Sequence, residues 1–587
     1  MGEAHPDAAV RVAAKVCEPK SEKFTTKLYL DADAGAVLKA YAAKNEKLEG
    51  ERARLLSDTL RDFHRNGLDL PHEQQEKLRK LNHEITEASQ KFESNIAAST
   101  GRVQVTEKQL DGLPKGWIAK HPAVGGKVEI TTDYPDFIPF VTYANDRAAV
   151  APLYVKFLNR GGDENLSLLT TILQLRDDKA KLLGYANWAA YAIEPRMAKT
   201  PQAVHDFLEN VRKAVEAPAS AEFAELVKAH VALGGTASDK IMSYDRAYLQ
   251  DKVKQQKYAF DSKELESYFE IGKVTQGLLD ISARMYSLTY KKVPANAWHE
   301  DVTAYEVWSD GKMIGKFYLD LYSRPDKFKH AAMFPVRVAK LLADGTYQLP
   351  VASLECNFPK PGAEPALMPH TEVVTFFHEF GHVLHHILTT SQLASYSGTN
   401  AVRDFVEAPS QMFEEWAWSR EVLDLFAAHV KTGAKIPNDL FSAMQKARTF
   451  GRALDTQRQL GLAALDLAYH TRDPHAAGFD TTKIYQEIDA STSLFAYVPG
   501  THFQTSFGHL IGYDAGYYGY QWALALSRDV LTRFQKEGLL NPTTAAAWRA
   551  TVLSKGGGED EREMVTNFLG RAPNNDAYIA FLKEQSR

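Results

Sequence analysis

The sequence predicts a mostly α-helical protein with one small β-sheet set directly before a buried helix. Two observations predict it. Apolar residues recur at steps of three and four along most of the 587 residues, and strand-like sequence is confined to one local stretch. Leu78, Leu81, Ile85, Ala88, Phe92 and Ile96 mark one buried face of a helix, and Pro71 suits its first turn. Similar periodicity fills 35–65, 140–235, 262–290, 415–470 and 515–550. No internal repeat and no low-complexity segment is present.

The strand-like stretch has its own punctuation. Ala304–Trp308 and Lys312–Leu321 flank Ser309, Asp310 and Gly311, which reads as a hairpin. Tyr347–Phe358 is expected to be a second extended run, ended by Pro359 and Pro361. A helix is expected to follow over Thr371–Leu388. Boundaries near 140 and 290 divide the chain into an N-terminal helical part (1–140), a second helical part (141–290) and a part that carries the chemistry (291–587).

Composition narrows the partners. Hydrophobic residues make up 44% of the chain, enough for large cores. Lys and Arg total 69 against 74 Asp and Glu, a net charge of −5. With no basic surplus to hold a phosphate backbone, nucleic acid is not an expected partner. Two cysteines, Cys17 and Cys356, cannot form a disulfide framework, which fits a reducing compartment. Met1–Lys20 lacks the apolar core of a signal peptide, and Pro6 stands where myristoylation wants Ser or Thr. No apolar run reaches membrane-spanning length. A soluble cytoplasmic protein is therefore expected, although an exported chain stripped of its leader would carry the same signs.

The expected helix contains His378-Glu379-Phe380-Gly381-His382. On a helix, residues i and i+4 share a face, so both histidines can meet one metal ion. Glu379 lies about 100° further round. It flanks the metal face and can serve as general base without being a ligand. Zinc lowers the pKa of bound water to about 7, and a neighbouring carboxylate then accepts the proton. The helix is apolar nearly all round, so its polar residues must find partners. Gly381 costs such a helix about 1 kcal/mol relative to Ala, a sign that another segment must come close. His385 and His386 are read as packing or supporting residues. Gly at 385 and His at 388 would make a metzincin; His385 and Leu388 exclude it. The third ligand is then expected to be a glutamate from a following helix, and spacing alone leaves Glu407, Glu414 and Glu415 open.

A second segment, 507–522, interleaves four tyrosines and His509 with glycine. A phenol near a metal can donate to the oxyanion formed when water adds to a carbonyl, worth about 3–4 kcal/mol. Tyr513, Tyr517 and Tyr520 step by four and three and would share a face on a helix. Tyr518 would point away.

These residues resemble a known family. Phe377 to His382, Ser397-Gly398-Thr399 and Arg403 to Met412 are similar to the thimet oligopeptidase, neurolysin and oligopeptidase A family of zinc peptidases. Other stretches share the likeness, among them Lys181 to Tyr185, Arg196 to Pro201, Trp298-His299, Phe317 to Tyr322 and Phe568 to Arg571. Coverage runs from about residue 50 to the C-terminus. The resemblance implies two helical domains flanking a deep substrate channel, with 141–290 as channel wall and 291–587 as the zinc-binding part. It implies one Zn2+ held by His378, His382 and Glu407, with Glu379 as base. His509 and Tyr520 would assist the transition state, and Tyr513 and Tyr517 would contact substrate. The implied activity is internal cleavage of short peptides by a monomer that needs no membrane and no second cofactor. Release of C-terminal dipeptides is the alternative, and an inactive peptide-binding protein on the same fold a further one. Loss of Glu379 or a ligand would favour the last; all four residues are present. No Gly-x-Met-x-Asn segment points to an aminopeptidase. Zincins take substrate backbone along a sheet edge, and Val351–Asn357 is the expected edge. Cys356 within it is expected to be packed. One departure stands out: the family has at least two adjacent glycines before the first tyrosine, and here Gly512 stands alone. That weakens the case for a mobile loop.

Overall fold

The computed structural model describes residues 5–324, 327 and 331–584. Helices dominate, as the periodicity requires. They gather into two compact units, each drawn from separate stretches of chain. One comprises Met1–Leu70, Asp261–Ser442 and Gly519–Phe581; the other Pro71–Phe260, Ala443–Tyr518 and Leu582–Arg587. Seven helices matter here: α1 (His72–Ala98), α2 (Gly162–Leu182), α3 (Pro201–Ala232), α4 (His370–Ile387), α5 (Arg403–Phe413), α6 (Arg452–Thr471) and α7 (Gly519–Glu537). None of the described helices is long and apolar enough to cross a membrane.

In the second unit α1 packs on α2, and α3 on α6. The start of α3 shows how the sequence sets a boundary. The Thr200 hydroxyl accepts from Ala203 N–H, and Pro201 occupies the first turn, where no N–H is needed.

The first unit holds a five-stranded sheet, with strands β1 (Thr289–Val293), β2 (Thr303–Ser309), β3 (Lys312–Tyr322), β4 (Ala332–Arg337) and β5 (Val351–Phe358) in the order β1-β2-β3-β5-β4. The expected hairpin is β2–β3. Asp310 and Gly311 take positive φ (51° and 73°), the conformation that a two-residue hairpin turn with strand-like twist demands. The expected run from Tyr347 to Phe358 is broken at Leu349 and Pro350, and only Val351–Phe358 joins the main sheet.

The expected edge must also be corrected. Strand β5 is interior, parallel to β3 and antiparallel to β4. Its residues are buried almost without alternation, the pattern of a strand covered on both faces. The sheet's edges are β1 and β4, and β4 lies next to β5; Pro335 is tolerated there because one side of the strand needs no donor.

Helix α4 lies on this sheet. Phe380 packs edge-on against Phe317 of β3 (5.6 Å between centroids), and Phe376 against Phe358 of β5 (5.4 Å). Its other flank receives α5. A Cβ on Gly381 would stand 2.7 Å from Ser410 Cα, closer than real atoms approach. The costly glycine is thus explained: it lets α5 reach α4. Replacing Gly381 by Ala should lower Tm by the equivalent of about 2 kcal/mol, since overpacking outweighs the gain in helix propensity. Thermal unfolding checks this, and a raised Tm would refute the account.

Candidate metal centre and active site

His378 and His382 sit one turn apart on α4, with ring centroids 5.1 Å apart. Glu407 comes from α5. Its Oε2 lies 3.2 Å from Nε2 of each histidine. A tetrahedral divalent ion with bonds of about 2.0–2.1 Å spaces its ligands by about 3.3 Å, so Glu407 Oε2 stands at a suitable separation from each imidazole nitrogen, and all three donor atoms lie within 4.8 Å of one another. Among the described residues this is one of two groups of donors close enough to hold an ion; the other, Asp177, Asp178 and His475, is threaded by the ammonium of Lys181, 2.7 Å from Asp177.

The three glutamates left open by spacing now separate. Glu407 meets the histidines. Glu414, just past the end of α5, accepts from His378 Nδ1–H at 2.8 Å. That bond engages Nδ1 and leaves Nε2 facing Glu407, as the nitrogen that would meet an ion. Glu415 pairs with Arg528 at 2.6 Å and takes no part. Ser410 Oγ lies 3.2 Å from Glu407 Oε2 and anchors the carboxylate from its own helix. Burial alone would raise the Glu407 carboxyl, but the two histidines hold it well below the usual carboxylate range. Burial would likewise lower His378, yet Glu407 and Glu414 hold it well above its ordinary value. The pocket therefore has a strong demand for positive charge.

Glu379 points elsewhere. Its carboxylate is buried and accepts the Met333 N–H of β4 at 2.9 Å. One helical turn thus sends two imidazoles to α5 and one carboxylate to the sheet edge. His385 and His386 are fully buried. His386 Nε2–H donates to Arg337 O at 3.0 Å and ties α4 to the end of β4. Burial, with His382 and His386 beside it, pushes His385 down to about 3, so it packs as a neutral ring. Cys356 is buried and its thiol is pushed well up by burial. It is packed, as expected.

The tyrosine segment departs from the helical expectation. Residues 511–518 form turns, and α7 begins only at Gly519. Tyr513, Tyr517 and Tyr520 therefore do not share a helix face. Glycine and an Asp-Ala pair defeat the period here: Gly512 and Ala515 both take positive φ (76° and 47°). Tyr520 sits in the first turn of α7, which packs on α5, and its carbonyl accepts from Gln411 Nε2 at 3.4 Å. His509, Tyr513 and Tyr517 belong to the second unit. The exposed His509 ring lies 5.1 Å from Tyr517 and 6.0 Å from Tyr513. Tyr517 is buried, and its hydroxyl donates to Gln459 at 2.9 Å. Tyr518 is buried too.

The profile of Peptidase family M3 matches residues 140–584. The chain belongs to peptidase family M3. A thimet-like oligopeptidase of Dictyostelium discoideum is 36% identical over 557 residues, covering 91% of this chain and 82% of its own. Oligopeptidase A of Escherichia coli is 33% identical over 557 residues, covering 91% and 81%. A carboxypeptidase of Pyrococcus furiosus shares the fold at 12% identity, with a TM-score of 0.57 over 100% of this chain and 94% of that one. The M3 match covers α4 and α5 entirely, so the histidines and Glu407 fall within it.

What sequence reasoning did not assign to this M3 chain are the supports: Ser410, Met333 and the true role of Glu414. A signal existed for two of them. Ser410 and Glu414 follow Glu407 at i+3 and i+7, the spacing of one helix face.

Two turns before Glu379 on the same helix stands Glu372, pushed up to about 7 by burial and by Glu266. A carboxyl raised in the folded state favours folding most below its unfolded pKa. That advantage is lost as pH climbs from about 4.5 to about 7. Glu372→Gln should therefore raise Tm at pH 8 by the equivalent of about 2 kcal/mol and leave it nearly unchanged at pH 4. Thermal melts at the two pH values check the difference.

Proposed function

We propose that this chain is a zinc-dependent oligopeptidase that hydrolyses internal bonds of short peptides in the cytoplasm, acting as a monomer with one Zn2+. The observation that carries the reading is the meeting of His378 Nε2, His382 Nε2 and a Glu407 oxygen, with the Glu379 carboxylate held apart. The donor set of two imidazoles and one carboxylate suits zinc, leaving room for water and substrate. When bound, the ion supplies positive charge that acidifies water and polarises a carbonyl.

The chain's own residues do the rest. Glu379 accepts a proton from the attacking water and later delivers it to the leaving amine. The Met333 N–H aims that carboxylate. Strand β4, at one edge of the sheet, is the element along which an extended peptide would lie. Glu414 and Ser410 hold the ligands in place. The family resemblance supports His509 and Tyr520 as donors to the developing oxyanion, and Tyr513 and Tyr517 as substrate contacts. For Tyr517 the contact would be through its ring, because its hydroxyl is engaged by Gln459. The names of the relatives, oligopeptidases from a slime mould and a bacterium, support short peptides as substrates.

Glu379→Gln should keep zinc and lose at least about a hundredfold in kcat. Glu407→Ala should lose zinc, whereas Glu415→Ala should retain it. Metal analysis and hydrolysis of a quenched fluorescent peptide check all three. Zinc retained by Glu407→Ala, or near-normal turnover by Glu379→Gln, would refute the assignment. Mass mapping of the products of one peptide, with free and amidated C-termini, should show the same internal cuts in both. Cleavage of the free form alone, two residues from its end, would make the enzyme a peptidyl-dipeptidase instead.

A further inference from the structure

The turn that carries Tyr513 and Tyr517 closes on a buried carboxylate that takes no part in the centre described above. Asp466 of α6 is almost completely buried. Its Oδ1 accepts from Ala515 N–H at 2.9 Å, and its Oδ2 from Gly516 N–H at 2.9 Å and Tyr517 N–H at 3.0 Å. His470 Nδ1 lies 3.1 Å from the same Oδ1. Three successive backbone donors converging on one anion form a nest, here turned inward onto the protein's own side chain.

The conformation that makes the nest is not free. Ala515 stands in the left-handed region at φ 47°, which a residue with a Cβ resists. Gly516 has no room for a Cβ: it would lie 2.7 Å from Tyr513 O and 2.8 Å from Arg196 Nη1. Something must hold the backbone there, and three charge-assisted bonds to a buried carboxylate are strong enough.

The opposite side of the segment is held as well. Arg196 donates to Ala515 O at 2.5 Å and to Asp514 O at 3.1 Å. Arg176 donates to Leu510 O at 2.8 Å, and Trp188 Nε1–H to Asp514 Oδ2 at 2.5 Å. A loop that moved to mould itself to each peptide would be drawn from weakly bonded backbone. This one is bonded from both sides. The lone Gly512 fits the same picture.

We propose that Asp466 is a positioning residue that locks the 510–517 turn, so that Tyr513 and Tyr517 are set for the peptide before it arrives. The proposal rests on the reading above that these tyrosines meet substrate. Its consequence is affinity gained by preorganisation, since a fixed turn has no ordering entropy left to lose on binding.

The test uses the zinc-loaded enzyme with Asp466→Asn. The amide keeps the volume but replaces one acceptor oxygen with an NH2 group facing an N–H. Hydrogen exchange across 511–518 should accelerate at least about tenfold. Zinc content should be unchanged. KM for a ten-residue fluorogenic peptide should rise about tenfold while kcat changes less than about threefold. A merely structural role would reduce the active fraction, and so the apparent kcat, without raising KM. Arg196→Gln loosens the same turn from the other side and should move exchange and KM the same way. Should Asp466→Asn fail to fold, Arg196→Gln decides alone. Unchanged exchange, or faster exchange with unaltered KM, overturns the proposal. Tyr513→Ala separates the two levels: if its KM equals that of the parent, the substrate-contact reading itself is wrong, whatever the Asp466 variant does.

Discussion

The structure of the candidate centre depends on one close approach, that of α5 to α4 at Gly381. Two histidines on one helix can supply only two donors, and a divalent ion in a protein needs at least a third. The third must come from another element, and a glutamate side chain spans only a few ångströms. With any Cβ at position 381, Ser410 would have to move outward, and Glu407, three residues earlier on the same helix, would move with it. A missing methyl group thus sets the distance between two helices, and that distance sets whether three donor atoms coincide. The local cost of glycine in a helix is the counterpart of that geometry.

The same few residues resolve the problem of burying charge. Imidazoles and carboxylates inside an apolar helix would be destabilising if left alone. Here the groups of the candidate centre have defined neighbours. His378 is held between Glu407 and Glu414, Glu407 by both histidines and Ser410, Glu379 by a backbone N–H of the sheet edge. The arrangement divides along the helix surface. The face at 378 and 382 looks to α5, and the residue about 100° round looks to β4. On the proposed reading, holding Glu379 against the edge strand also sets the base beside backbone that an extended peptide would pair with.

Much of this was legible in the sequence because it rests on periodicity and on costs. The i, i+4 histidines, the flanking Glu379 and the penalty of Gly381 all follow from helix geometry. The hairpin at Asp310-Gly311 follows from turn chemistry. The sheet edge was not legible. Val351–Phe358 and Ala332–Arg337 are both short extended runs, and which one is interior depends on pairing with Lys312–Tyr322, a non-local fact. Pro335 in the second was the available hint, whereas Ser353, Glu355 and Asn357 alternate with apolar residues in the first and hide its continuous burial. Choice among Glu407, Glu414 and Glu415 was likewise invisible to spacing, since all three follow α4 at usable distances. It is decided by where α5 ends, with Glu407 inside the helix and Glu414 and Glu415 beyond it.

The tyrosine segment shows where periodicity misleads. Steps of four and three mean a shared face only if every intervening residue is helical. Between Tyr513 and Tyr520 the chain instead places Ala515 in the left-handed region, and the N–H groups that a helix would have used internally turn to Asp466. Nothing near the tyrosines announces that partner, which lies about fifty positions upstream on α6. A backbone segment abandons helical bonding when another acceptor satisfies its donors better, and a buried carboxylate is a stronger acceptor than a peptide carbonyl. The conformation of the aromatic turn is therefore determined by a side chain outside it. A turn and the residue that shapes it need not be near one another in sequence.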